Sequence, residues 1–244
     1  MALHFVLDEP TSAGPGDTVV LTGSEAHHAA SVRRVRVGEE ITVGDGRGAW
    51  LTGRCESVAP REVVVRVEGR TDAAPPRPRV VLVQALAKGD RDELAIQAAT
   101  ELGVDEIVPW QAARSVSRWD AAKAEKGRAR WSTIVREAAK QAHRAWIPEV
   151  SPLVTTAQLT TRAAASLALV LEPTGDERLT RLELAHEDRD VLLVVGPEGG
   201  IAPEELERLA AAGAAIVRLG DSVLRTSTAG PAALAVVSAA LGRW

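Results

Sequence analysis

The rhythm of polar and apolar positions changes near residue 80. Before it, short alternating runs recur: "HFVLD", "DTVVLTG", "EEITVGDG", "AWLTGRCESV" and "EVVVRVEG". Side chains of a strand point alternately to two faces, so these runs predict half-buried β-strands. Turn signals such as "GDG" and "GRG" separate them. One helical stretch, "SEAHHAASVRRV", interrupts, with Ser24 as its candidate cap. Many short strands with glycine turns predict a small β-barrel over residues 1–72. Prolines in "DAAPPRPR" then predict a stiff linker over 73–79 and a domain boundary.

Residues 80–244 carry near-continuous apolar runs: "RVVLVQALA", "EIVPW", "SLALVLEP", "VLLVVGPEGG" and "AAIVRLGD". Strands buried on both faces look like this. Helical patterns alternate with them: "DRDELAIQAATELG", a long stretch over 119–145 with Gly127 as a candidate break, and the spans 177–184, 203–212 and 226–241. The alternation predicts an α/β domain with a mostly parallel sheet and helices on both faces.

The bulk properties narrow the class. No apolar run is long enough to span a bilayer, and "MALHFVLDEP" lacks the basic lead and apolar stretch of a signal peptide. A lone cysteine, Cys55, excludes an intrachain disulfide and a cysteine-based zinc cluster. The expectation is a soluble cytoplasmic protein with no metal. Net charge is −4, which argues against a generally basic nucleic-acid binder. From Arg114 to Arg144, however, nine Lys/Arg face three Asp/Glu, so a polyanion can be held locally.

Three consecutive strand ends carry unusual loops: "LEPTGD" after Leu171, "GPEGG" after Val195 and "LGDSVLRTSTAG" after Val217. Open α/β sheets bind ligands beyond such ends. Neither the Rossmann G-x-G-x-x-G nor the P-loop pattern is present, and "GPEGG" has no Lys, Arg, Ser or Thr for a phosphate. Backbone groups with Leu, Val and Ile nearby suit an uncharged ring such as adenine. No cysteine nucleophile lies near the loops, and no His/Glu cluster has metal-ligand spacing.

"VVGPEGGIAPEE" followed by "LGDSVLRTSTA" resembles the ribosomal RNA small subunit methyltransferase E family, within the SPOUT class of trefoil-knotted methyltransferases. "LAKGDRDELAIQAATELGVDEIVPWQAARSV" and "REAAKQAHRAWIPEV" are similar to two further family segments, and "EAHHAASVRRVRVGEEITVGDG" to its PUA-like N-terminal domain. The resemblance covers essentially the whole chain. One departure is Ser227, where the family often has Glu.

The resemblance implies a SPOUT trefoil-knotted sheet over 80–244 behind a PUA-like barrel. It implies S-adenosylmethionine as cofactor and N3 of a uridine near the 3′ end of 16S rRNA as target. The cofactor would lie among Leu171, Gly196, Pro197, Gly199 and Gly200, then Leu219, Gly220, Leu224, Arg225, Thr226 and Thr228. Arg225 is the candidate for stabilising negative charge on the uracil, and Glu198 a candidate base. Arg136, Lys140, His143 and Arg144 recur at helical spacing and predict one basic face toward RNA. Arg33, Arg34 and Arg36 form a second basic group, and Lys88 and Arg114 complete the RNA candidates. Trp110 and Trp119 are candidate stacking partners or core residues. The span 229–241 has no charge and is apolar all round, which predicts burial against a second copy in a homodimer. Two alternatives to methylation of 16S rRNA in the small ribosomal subunit stay open: a SPOUT enzyme acting on another RNA or on ribose 2′-O, and a non-catalytic RNA-binding assembly factor.

Overall fold

A computed structural model describes residues 2–184 and 188–244. The chain divides into two compact units: Met1–Pro75 with Ala139–Ile147, and Pro76–Ala138 with Pro148–Trp244.

The first unit is a curled five-stranded sheet: β1 (Leu3–Val6), β2 (Thr18–Thr22), β3 (Glu40–Gly44), β4 (Ala49–Ala59) and β5 (Glu62–Asp72), in the order β1-β3-β4-β5-β2. Only β1–β3 is parallel. The alternation reappears as burial: Val19 and Leu21 of β2 point inward between exposed neighbours. Phe5, Ile41, Leu51 and Val65 share the resulting core. A short helix, α1 (Gly23–His27), runs into a π-helical turn, His28–Val32. It starts one residue before Ser24, with Thr22 at the cap position.

Within this unit lies a correction. Lys140, expected to face RNA, is buried, and its Nζ lies 2.7 Å from Oε1 of the equally buried Glu25. The other oxygen of Glu25 accepts from the Val6 amide. Burying a lone ammonium is prohibitive, so Glu25 and Lys140 hold each other in place. The predicted helix face also ends early. The helix stops at Gln141, and His143 takes a positive φ of 53° beyond it, so His143 and Arg144 do not continue the face. Residues after the turn pair with the sheet's loops, through Gly48 N–H to Ala145 O and Ile147 N–H to Gly46 O.

The second unit holds a seven-stranded, wholly parallel sheet, ordered β10-β12-β9-β11-β6-β7-β8. In chain order its elements are β6 (Val80–Ala85), α2 (Arg91–Glu101), β7 (Glu106–Trp110), α3 (Ala121–Gln141, shared with the first unit), β8 (Glu149–Val150), α4 (Thr156–Ala164), β9 (Leu167–Leu171), β10 (Glu177–Arg178), β11 (Val191–Val195), α5 (Pro203–Ala211), β12 (Ala215–Arg218) and α6 (Thr226–Ala240). Every residue of β6, β7 and β11 is buried, as their unbroken apolar runs require. Val81, Val83 and Val194 pack with Leu159 of α4 and Leu209 of α5. The opposite face takes α6 so closely that a Cβ on Gly230 would come within 2.9 Å of Leu82 Cδ1.

Three local expectations change. The span 177–184 is not a helix: Glu177 and Arg178 pair with Val217 and Arg218 as an edge strand, followed by a single 3-10 turn. Helix α4 was not anticipated, although Thr155 and Gln158 form a reciprocal capping box at its start. Helix α3 runs unbroken through Gly127, where a Cβ would lie 2.5 Å from the Trp119 ring. That glycine makes room for Trp119, which meets Trp131 edge to face. Trp110 is fully buried, and its indole N–H donates to Thr156 Oγ1. It belongs to the core.

Candidate cofactor site

Strands β12, β9 and β11 are neighbours in the sheet, so the loops after them meet at one edge. They enclose a cavity of about 480 Å³. Leu171, from the end of β9, supplies one apolar wall, and Leu219, Gly220 and Leu224, after β12, another. Gly196, Pro197, Glu198 and Gly200 line it from the loop after β11, and Arg225 and Thr226 from the start of α6. Of the expected cofactor residues, Gly199 and Thr228 are not part of the lining.

The glycines have separate physical reasons. Gly200 sits at φ +72° and closes a tight turn by donating to Pro197 O at 2.9 Å. Other residues rarely adopt that φ. A Cβ on Gly196 would lie 2.6 Å from Ile201 Cγ1, so that position must be bare. A Cβ on Gly220 would meet nothing within 4 Å. Pro203 then opens α5 at a position where a missing N–H costs nothing.

Glu198 is an engaged acceptor rather than a free base. Its Oε1 accepts from the Lys88 amide at 3.0 Å and from Arg91 Nη1 at 2.9 Å. Burial is the largest single influence and pushes its carboxyl up. The amides of Glu198 and Lys88 and the Arg91 guanidinium together outweigh it and hold the carboxyl below the ordinary range. Arg225 is exposed at the cavity wall, with no side-chain hydrogen bond or ion pair among the described residues.

The other cationic candidates divide. Arg33, Arg34 and Arg36 are exposed in the first unit, and Arg34 has a positive φ of 54°. Lys88 and Arg114 are exposed in the second, where Arg114 Nη1 donates to Gly199 O at 3.2 Å. Arg136 and Arg144 are half-buried. Sequence reasoning missed Arg91, Glu172 and Arg218 in the cavity wall. Arg91 opens α2 immediately after the "LAKGD" turn, a position that a strand-end loop on β6 could have flagged. Nothing in the sequence marks Glu172 or Arg218 apart from their places beside "LEPTGD" and "LGDS".

The cavity suits an adenosyl ligand. It has the volume of a small-molecule site, apolar walls for a ring and half-buried glycine backbone at three lining positions. The described residues contain no His/Cys/Asp/Glu group able to hold a metal ion, and no helix long and apolar enough to cross a membrane.

This parallel sheet with a strand-end cavity, preceded in the sequence by a small curled sheet, defines a class: a model of an RNA methyltransferase domain matches residues 75–238, and one of an RNA methyltransferase PUA domain matches 21–68. The chain is 45% identical to ribosomal RNA small subunit methyltransferase E of Mycobacterium bovis, across 100% of this chain and 94% of that one. It is 33% identical to the Bacillus subtilis protein of the same name, across 91% and 90%. The chain belongs to the ribosomal RNA small subunit methyltransferase E family. Among solved structures, the Neisseria gonorrhoeae family member bound to S-adenosyl methionine superposes with a TM-score of 0.86, at 30% identity over 98% of each chain. A Legionella pneumophila protein in complex with the same cofactor gives 0.88, at 31% identity over 98% of each.

Proposed function

We propose that this protein transfers the methyl group of S-adenosylmethionine to N3 of a uridine near the 3′ end of 16S rRNA, in the cytoplasm. The observation that carries this reading is the glycine-lined cavity at the ends of β9, β11 and β12, with Arg225, whose side chain has no partner among the described residues, in its wall. Family membership supports the same reading.

The cofactor, when bound, supplies an electrophilic methyl group. The chain's residues do the rest. Leu171, Leu219 and Leu224 would cover the adenine, and the bare backbone at Gly196, Gly200 and Gly220 would let it approach. Holding donor and acceptor in line accounts for much of the rate in such a displacement. Uridine N3 carries a proton at neutral pH, and its release to solvent water leaves negative charge on the ring. Arg225 stabilises that charge, since a guanidinium stays protonated. Glu198 holds the glycine loop against Lys88 and Arg91. A carboxylate with a lowered pKa is a poor proton acceptor at pH 7.

After β12, at the far side of β9, the chain returns to start α6 beside β6 and β11. This return supports the trefoil knot of the SPOUT class. Helix α6 supports a homodimer. Its core-facing side carries Gly230, Ala233, Leu234 and Val237, whereas Ala232, Ala235, Val236 and Ala239 form an uncharged, incompletely covered side. Arg33, Arg34 and Arg36 bind RNA phosphates, with Lys88 and Arg114 as further contacts.

Nucleoside analysis of 16S rRNA from cells lacking the protein tests the reaction. N3-methyluridine is expected to vanish and to return with the wild-type gene. Loss of a ribose-methylated nucleoside instead would reassign the target atom, and an unchanged profile would leave the non-catalytic reading.

A further inference from the structure

Gln84 is out of place by composition. It sits in "VVLVQA", a strand whose other residues are all apolar, and it is fully buried. A buried amide costs stability unless its hydrogen bonds are made. Its Nε2 donates to Ala85 O at 3.0 Å and to Thr226 Oγ1 at 2.9 Å. The amide orientation follows from the first bond, because a flipped amide would set Oε1 against a carbonyl oxygen. Both Nε2 protons are then committed, while the buried Oε1 has no hydrogen-bond partner among the described residues. Thr226 Oγ1 accepts one of them, so its own proton must go elsewhere, and Gly196 O lies 2.8 Å away. The three groups form a one-way relay: Gln84 N–H to Thr226 O–H to Gly196 C=O.

The relay joins three separate stretches of chain. Gln84 is next to last in β6, Gly196 is the first residue of the loop after β11, and Thr226 is the first of α6. Both Gly196 and Thr226 line the cofactor cavity, and Arg225 directly precedes Thr226. Leu82, on the same face of β6 as Gln84, marks where α6 packs at Gly230. Apolar packing alone resists sliding of α6 along the sheet only weakly, since such contacts are non-directional. A directional hydrogen bond at its first residue selects one position. The Gly196 carbonyl, held by the same hydroxyl, fixes the peptide that leads into the glycine turn.

We infer that Gln84 is a positioning residue for the methyl-transfer site, acting through Thr226 to set the Gly196 peptide and the first turn of α6. This rests on the proposed use of the cavity for S-adenosylmethionine. It assigns Gln84 no contact with the cofactor.

The test is calorimetric binding of S-adenosylhomocysteine to the full chain, with thermal melting beside it. Wild-type binding establishes the cavity independently of the relay, and no binding to wild type would sink the reading on which it rests. Gln84→Leu and Thr226→Val are each expected to weaken binding by about tenfold, the usual scale for a broken buried hydrogen bond. Thr226→Ser, which keeps the hydroxyl, retains most of the affinity. Combined, Gln84→Leu and Thr226→Val lose little more than either alone, because they break one relay. Losses that multiply in the double variant would overturn the inference, as would Gln84→Leu binding within twofold of wild type. If Gln84→Leu fails to fold, the Thr226 pair decides: equal affinity of the Ser and Val variants removes any role for the hydroxyl.

Discussion

Arg225 and Glu198 both line the cavity, yet their surroundings separate their roles. Glu198 is tied by an amide and a guanidinium, and its charge is satisfied without substrate. Arg225 has no such partner among the described residues, so its charge is available to the ligand. Arg225→Ala is therefore expected to lower kcat by about a hundredfold, the scale for removing one donor aimed at developing charge. Cofactor affinity should change by less than about threefold, as for a contact made only in the transition state. Single-turnover methylation of rRNA beside calorimetry separates the two. Equal losses in both would make Arg225 a cofactor-binding residue.

At the scale of elements, β1 carries a pH-dependent weakness. His4 is buried, stacks on Trp50 at 4.1 Å and donates or accepts at Thr42 Oγ1. Burial, reinforced by positive charge at His143 and Lys140, lowers its pKa from 6.5 to about 4. The folded chain thus keeps His4 neutral where an unfolded chain takes up a proton. The unfolded state binds more protons between pH 6.5 and about 4, so stability falls as pH drops through that window. Thermal melts across it should show the slope, and His4→Gln should flatten the part due to this residue. Parallel slopes for both proteins would remove His4 from the account. The same segment shows why Lys140 misled the helical reading. Spacing puts it on a face with Arg136, but Glu25 lies more than a hundred residues away in sequence, and only the fold brings it to Lys140.

For the whole molecule, the expectations concern partners. Light scattering should give twice the chain mass at micromolar concentration. Ala235→Glu, on the incompletely covered side of α6, should convert it to a monomer, since an apolar contact resists a buried charge. A monomeric wild type would refute the dimer. Reversal of Arg33 and Arg34 to Glu should weaken rRNA binding by about tenfold at low salt, with a shallower salt dependence and unaltered cofactor affinity. RNA affinity that is indifferent to both changes would make this exposed group an ordinary solvated surface.

The residue order alone determined much of this. Alternation in the first 72 residues and unbroken apolar runs after Val80 marked all five strands of the curled sheet and five of the seven in the parallel one. The two missed strands, β8 and β10, have two residues each, too few to show a period. Glycine and proline marked the loops that line the cavity, because a turn at φ +72° needs a residue type that the sequence displays directly. Tertiary structure decided what depends on distant partners: that Lys140 is buried against Glu25, that Glu198 is held by Arg91, and that Gln84 meets Thr226 across 142 positions. Periodicity reports a residue's own face and its near neighbours. Burial of a charge or an amide depends on which remote group arrives to satisfy it, and that is known only once the chain has folded.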